Sequence, residues 1–402
     1  MKTMLLLGGS AQQVIAIETA KRMGLRTVLC DYLPDNPGQH HADRFYLTST
    51  TDREAVLEVA RAERADYVIA YASDPAAPTA AYVAEKLGLP TNPLEAVEIL
   101  CNKDRFRVFL REHGFETPTA RGYASPEAAM ADAERFELPV IIKPVDSSGS
   151  KGATVVRAVE DLAAAVDFAF SFSRGHRIVV ETFIEKKHPY LVGGDIFVSE
   201  GKIIQWGLMN CHRDVAVNPL VPVGKSYPPL LDEGSLRAVK DTLQRLVTEL
   251  GIRFGPMNVE LIVDAKNRVF PIDIGPRSGG NMIPDLLGMI FGCDVVEMSV
   301  RAAMGEPVTV PEGEGTPFYA THNLHADRDG ILREITFSPE IGPFIVRKNI
   351  YRQPGDPVQR FTNASHAIGI VFLKFDGAEQ MDGFLSRIGD HIHVAVTEAG
   401  QP

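Results

Sequence analysis

Apolar runs alternate with helical stretches over the first part of the chain, and that alternation constrains the fold more than any other feature. Residues 3–7 (Thr-Met-Leu-Leu-Leu) read as a buried strand, 11–23 as a helix and 27–31 (Thr-Val-Leu-Cys-Asp) as a second strand. A helix over 53–62, a strand over 67–70, a helix over 78–87 and a turn at Gly88-Leu-Pro90 continue the pattern. Such alternation predicts a parallel sheet. Gly8-Gly-Ser-Ala-Gln-Gln13 lies where a dinucleotide fingerprint would lie but lacks the G-x-G-x-x-G spacing, which disfavours binding of a nicotinamide dinucleotide.

Further on, the pattern changes. A helix beginning near Asn92-Pro93 carries Asn102-Lys103-Asp104 and runs to His113-Gly114; short strands then alternate with helices at 140–143, 154–157, 161–172 and 177–181. Strands over 195–198 and 202–206, joined by Ser199-Glu-Gly201, read as a hairpin. A helix over 236–250 leads to a second hairpin, 258–263 and 269–274 around a turn at 264–268. This is α+β. From about residue 313, strand-like runs such as 344–346 and 366–374 form a small third unit or an appendage to the second.

The 402 residues are enough for two or three domains with sizeable cores. A formal net charge of −11 without a basic run leaves no electrostatic footprint for nucleic acid or an anionic membrane. No apolar stretch approaches the ~20 residues of a membrane span. The four cysteines, Cys30, Cys101, Cys211 and Cys293, form no C-x-x-C pair, which argues against a disulfide framework or zinc site and predicts a reduced, cytoplasmic setting.

Val140-Ile-Ile-Lys-Pro-Val-Asp-Ser-Ser-Gly-Ser-Lys-Gly152 fails as a Walker loop, because Lys143 precedes the glycines and the loop leads into another strand. Glu260 and Asp273 stand on the two arms of the second hairpin, either as solvated strand charges or as two oxygen ligands for Mg²⁺. Gly275-Pro-Arg-Ser-Gly-Gly-Asn281 follows, a tight segment with a guanidinium available to an anion.

Taken in order, Lys103, Lys143-Pro144, the loop 147–152, Val180-Glu-Thr-Phe-Ile184 and Asn258-Val-Glu260 to Asp273-Ile-Gly-Pro-Arg277 resemble the ATP-grasp superfamily over residues 1 to about 310. The resemblance implies a Rossmann-like parallel-sheet domain over 1–95, an ATP-grasp domain over 96–312 with a lid at about 114–184, and a small C-terminal α+β unit over 313–402. It implies ATP and Mg²⁺ as cofactors, with Lys103 and Lys143 on the α- and β-phosphates. Ser147, Ser148, Gly149 and Gly152 would belong to a loop closing over the terminal phosphates, backbone N–H groups approaching them closely. Lys151 is either a third positive charge there or an exposed loop lysine. Glu181, Thr182, Phe183 and Ile184 would form the adenine hinge, with His188 where the family places a ribose-binding acid and Glu185 and Asp195 as other candidates. Glu260 and Asp273 would hold the metal. The chain departs from the family's E-x-N at Asp273-Ile-Gly275, where Asn281 or a water would have to replace the asparagine.

The implied reaction passes the γ-phosphoryl group of ATP to a carboxylate, giving an acyl phosphate that an amine or similar nucleophile displaces. Arg277 is assigned to that acyl phosphate or its parent carboxylate, against a structural ion pair. His212 and Arg213, in Asn210-Cys-His-Arg-Asp214, and the loop 218–223 either line the acceptor site or are solvated. His322-Asn-Leu-His325 resembles a substrate-side segment of amino-acid ligases. Small-molecule carboxylate and amine substrates follow, and a homodimer is compatible. The alternatives are a bicarbonate-activating carboxylase-like enzyme, a small-molecule kinase and a non-catalytic ATP-binding regulator.

Overall fold

A computed structural model of the chain describes residues 1–397 apart from 148, 149, 215, 312 and 314. Strands β1 (Thr3–Leu7), β2 (Arg26–Asp31), β3 (Arg44–Leu47) and β4 (Tyr67–Ile69), with helices α1 (Val14–Arg22), α2 (Arg53–Ala62) and α3 (Ala77–Leu87), build the expected parallel sheet in the order β3-β2-β1-β4. The short strand β3 is an addition to the sequence reading; its mixed side chains show no alternation to betray it. At the dinucleotide position, the Gln13 side chain folds back to the Tyr71 carbonyl at 2.8 Å, and Asp31 accepts from the Gly9 N–H at 2.6 Å. The turn is filled by its own residues.

The single helix expected from Asn92 to His113 is two, α4 (Leu94–Leu100) and α5 (Lys103–Glu112). Asn102 ends the first and caps the second, its side chain accepting from the Arg105 N–H at 3.1 Å. Asparagine is favoured at that position because its oxygen satisfies an otherwise orphan N–H. Lys103 therefore opens a helix beside the 147–152 loop.

Strands β5 (Ala120–Tyr123), β6 (Val140–Pro144), β7 (Thr154–Val156) and β8 (Ile178–Thr182), with helices α6 (Pro126–Ala131) and α7 (Leu162–Phe172), make an antiparallel sheet ordered β5-β8-β6-β7. Next come β9 (Leu191–Ser199), β10 (Lys202–Asp214), β11 (Asn218–Tyr227), α8 (Glu233–Glu249), β12 (Gly255–Val263), β13 (Val269–Gly275), α9 (Ile283–Phe291) and α10 (Val295–Ala303). Both expected hairpins form, β9-β10 and β12-β13.

The last part of the chain comprises β14 (Tyr319–Leu324), β15 (Gly330–Phe337), β16 (Ile345–Ile350), β17 (Pro357–Val358), β18 (Gly369–Lys374), α11 (Ala378–Leu385), α12 (Ile388–His391) and β19 (Ile392–Thr397). β14, β18 and β16 extend the central sheet to eight strands, β13-β12-β9-β10-β11-β14-β18-β16, while β17-β15-β19 form a separate small sheet. On the central sheet, Val192, Ile196, Val259 and Leu261 pack against α5 and α8, whereas Phe197, Met209 and Phe372 pack against α9. Alternation sends Glu260 to the face away from Val259 and Leu261. No helix among the described residues is long and apolar enough to cross a membrane.

Candidate active site

Lys103 and Arg107 lie one turn apart on α5 and so share a face. Lys103 Nζ donates to the Ser147 carbonyl at 2.8 Å and stands 3.3 Å from Asp273 Oδ1. Arg107, only 2% exposed, donates through Nε to Glu181 Oε1 at 2.8 Å and through its Nη atoms to the carbonyls of Pro271 and Ile272 at 3.2 and 2.6 Å. From β6, Lys143 Nζ reaches Glu181 Oε2 at 2.8 Å. Burial opposes ionisation of Glu181, but Arg107 and Lys143 outweigh it and hold the carboxyl below its usual value. Burial is also the main influence on Lys143, whose pKa it lowers. The side chain of Glu181 is thus an anchor joining the four-stranded antiparallel sheet to α5 and, through Arg107, to β13 of the central sheet. Arg107 is not singled out by the sequence, although it is the arginine of α5 that lies between Phe106 and Val108, on the turn after Lys103 and among the apolar positions Phe106, Phe109 and Leu110.

Glu260 and Asp273 are direct cross-strand partners, with a bulge between Glu260 and Leu261. Arg213 Nη2 approaches Glu260 Oε1 at 3.3 Å. Burial would raise the pKa of Asp273, but Lys103, Lys143, Arg277 and Arg107 lower it overall, so its carboxylate is held ionised. Two adjacent carboxylates fit a hard divalent cation whose remaining ligands are water and phosphate oxygens. No group of three His, Cys, Asp or Glu side chains able to enclose an ion occurs among the described residues.

The position of the family's metal asparagine is Gly275, and the space is not empty. A Cβ there would lie 2.5 Å from Asp74 Oδ1 and 3.0 Å from Arg277 Cζ. Arg277 pairs through Nη2 with Asp74 Oδ2, in the loop after β4, and donates from Nη1 to the Ser278 carbonyl at 3.1 Å. Arg277 Nε and Asp74 Oδ1 are buried without a partner among the described residues. Asp74, which the sequence reading did not single out, lines one small cavity with Lys103, Ser147 and Asp273. Asn281 lies farther along, its N–H held by Gln12 Oε1 at 2.9 Å.

Of the loop, Ser148 and Gly149 lie outside the described residues. Ser147 Oγ donates to the Lys151 carbonyl at 2.9 Å, and Ser150 Oγ donates to Leu220 on β11 at 2.9 Å. Gly152 has φ +75°, and a Cβ would meet both Phe172 and Pro144 at 2.8 Å, so glycine is required where the loop re-enters β7. The Lys151 side chain is exposed.

In the hinge, the Thr182 N–H is already given to the Thr119 carbonyl at 2.9 Å and that of Phe183 to Pro139 at 3.1 Å. Ile184 has no such bond among the described residues. Arg157 stacks over Phe183 at 5.5 Å. Both ring nitrogens of His188 are buried without partners, and burial, then Lys186 and Lys187, lowers its pKa. Asp195 lies elsewhere, accepting from Asn258 Nδ2 at 2.8 Å and the Gly279 N–H at 2.7 Å.

Residues 210–214 and 218–223, expected as loops, are strand: β10 continues to Asp214 and β11 begins at Asn218. Two of their polar side chains meet Ser226 across the pair. Asn210 Nδ2 donates to Ser226 Oγ at 3.0 Å, and His212 Nε2 lies 2.9 Å from the same oxygen. The Tyr190 ring packs on His212 with centroids 4.5 Å apart. Burial, then Lys225 and Arg213, pushes His212 down to about 4, and burial, then His325 and His212, pushes His322 to about 3. His325 Nε2 approaches Asp214 Oδ2 at 3.3 Å.

Residues 102–310 match the carbamoyl-phosphate synthase L chain, ATP binding domain. An uncharacterised protein of Sinorhizobium fredii is 27% identical over 327 residues, 79% of this chain, which spans 66% of that relative's length. A formate-dependent phosphoribosylglycinamide formyltransferase of Methanocaldococcus jannaschii is 27% identical over 77% of each chain. Among solved structures, the L-amino acid ligase from Bacillus licheniformis superposes with TM-score 0.80 at 21% identity over 99% of both chains, a likeness of fold.

Proposed function

The chain belongs to the carbamoyl-phosphate synthase L chain ATP-binding family, within the ATP-grasp superfamily, and we propose that it is an ADP-forming ligase that activates a small carboxylic acid as an acyl phosphate and joins it to an amine. The observation that carries this reading is the directly opposed pair Glu260 and Asp273, with Lys103 already on Asp273 and Lys143 one layer away on the lid. Mg²⁺, held by that pair and by phosphate oxygens, would neutralise charge on the terminal phosphates.

The chain's own part is exchange of partners. Lys103 leaves Asp273, and Lys143 leaves Glu181, to meet the α- and β-phosphates. Glu181 keeps Arg107, so no buried carboxylate is stranded when Lys143 moves. The 147–152 loop closes over the γ-phosphate and excludes water from the labile acyl phosphate. The substrate carboxylate oxygen forms the new bond to phosphorus as the β–γ bridging oxygen departs with its electron pair in ADP; the amine then displaces phosphate. Catalysis on this reading is positioning and charge neutralisation.

The names of the relatives support C–N bond formation: a formyltransferase using formate and an amino acid ligase both join an acid to an amine. A second reading, nucleotide binding without turnover, draws on Gly275 in place of a metal-binding asparagine. Phosphate release with ATP and Mg²⁺ across a panel of carboxylic acids, with hydroxylamine as nucleophile, separates the two. Hydroxamate with at least one acid is expected. Release of ADP without hydroxamate would indicate a kinase, and no acid-stimulated release would leave only the regulator.

A further inference from the structure

Four basic residues around the carboxylate pair each hold a carboxylate: Lys103 on Asp273, Lys143 on Glu181, Arg213 on Glu260 and Arg277 on Asp74. Lys225 does not. It is 7% exposed on β11, belongs to no ion pair among the described residues, and its Nζ meets only the Cys211 sulfur, at 2.7 Å. A thiol is a weak acceptor and cannot do the work of a counter-ion. The buried carboxyl of Asp195 feels the charge of Lys225 but does not pair with it, and a buried ammonium without a direct partner is costly unless something anionic joins it.

Its direction is as telling as its burial. Lys225 pairs across β10 with Cys211, and its ammonium extends on to β9, where a Cβ on Gly193 would lie 3.0 Å from Nζ and 2.4 Å from the Cys211 sulfur. Gly193 is the cross-strand partner of Glu260. The missing side chain at Gly193 is what lets the Cys211 sulfur and the Lys225 ammonium lie against the backbone of β9, next to the strand that carries Glu260. The alternation of the sheet puts Lys225, Cys211, Gly193, Glu260 and Asp273 on one face.

We propose that Lys225, whose ammonium lies over Gly193 on the face that carries Glu260, binds the carboxylate of the acid substrate and so holds it for phosphoryl transfer. This rests on the ligase reading. Arg277, already neutralised by Asp74, is then the second cation of the acid subsite rather than the first.

The test uses the full chain and the variants Lys225→Met and Lys225→Gln. Without nucleotide, acetate and orthophosphate should each raise the melting temperature of the wild type. Both variants should lose that response, yet melt at or above the wild-type temperature, because a buried charge without a counter-ion has been removed. The stabilisation given by ATP with Mg²⁺ should be unchanged. In the hydroxamate assay, KM for the stimulating acid should rise at least ~50-fold in Lys225→Met with KM for ATP unmoved. A structural lysine would behave oppositely: variants that melt lower, or do not fold, with anion response retained where it can be read, overturn the proposal. If the wild type yields no hydroxamate with any acid, the ligase reading fails by itself, and the anion-induced melting shifts still decide whether Lys225 binds an oxyanion.

Discussion

The nucleotide end, the region proposed to meet ATP, and the acceptor end, the region proposed to meet the acid, handle charge in opposite ways. At the nucleotide end, cations from α5 and β6 are paired with carboxylates from β13 and β8 before any ligand arrives. At the acceptor end, burial keeps His212 and His322 uncharged at neutral pH, at about 4 and about 3, and Lys225 has no ion-pair partner among the described residues. A pre-neutralised region gives up one set of ion pairs for another when a polyanion binds, so its empty state is stable. On the proposed reading, Lys225 gains a direct partner only when a ligand supplies one.

The sharpest way to break this contrast is to remove charge from the carboxylate pair. Asp273→Asn keeps the shape of β13 but takes the counter-ion from Lys103 in the empty state and replaces one of the two anionic oxygen donors with a neutral amide. Acid-stimulated ADP release should fall by roughly 10³-fold, in the range of losses for a charge-stabilising group in a preorganised site, while ATP still stabilises the chain. Turnover near the wild-type rate at saturating Mg²⁺ would place the metal elsewhere.

A stability effect comes next in size. Arg107 and Glu181 are 2% and 1% exposed, so Arg107→Met leaves Glu181 with Lys143 alone and orphans the carbonyls of Pro271 and Ile272. Breaking one side of a buried pair costs about 3–5 kcal/mol. Urea unfolding should show a loss of that order, and ATP should recover less stability than in the wild type, since Lys143 can no longer leave Glu181 freely. A variant as stable as the wild type would mean that the nucleotide end is not held by this anchor.

What could be read in advance follows the same divide. The Glu260–Asp273 register was legible because apolar alternation and a polar turn at 264–268 define a hairpin locally. Lys143 stood out because it ends an apolar run before proline. Arg107, Asp74 and Lys225 were not legible as site residues, since what makes each informative is a partner, or the lack of one, distant in sequence: Arg107 meets a residue 74 positions away, and Asp74 one 203 positions away. Residues 218–223, the first part of β11, read as a loop in the sequence because Pro219 and Pro222 lie there, although a strand can carry prolines where no ladder N–H is required. The importance of Gly193 is equally invisible in sequence, because it depends on the Lys225 and Cys211 side chains that cross it.

The smallest expected effect concerns Asp195, which sits between the two ends. It is 1% exposed, and burial raises its carboxyl to about 6 despite hydrogen bonds from the Gly279 N–H and Asn258 and the nearby charges of Arg277 and Lys225. In the unfolded chain such a group titrates near 3.8. The folded state therefore binds this proton more tightly, and the resulting stability is fully present below about pH 4 and lost as pH rises to about 6. At 1.36 kcal/mol per unit the loss is at most about 3 kcal/mol. Asp195→Asn cannot titrate, so the wild-type-minus-variant difference in unfolding free energy should fall across that window and be flat above it. Acetate bound at Lys225 would cancel one of the charges that favour the Asp195 anion, moving the window upward in the wild type and leaving Lys225→Met unmoved. An acetate-independent window would separate Asp195 from the acceptor end and assign it to the Gly279 loop alone.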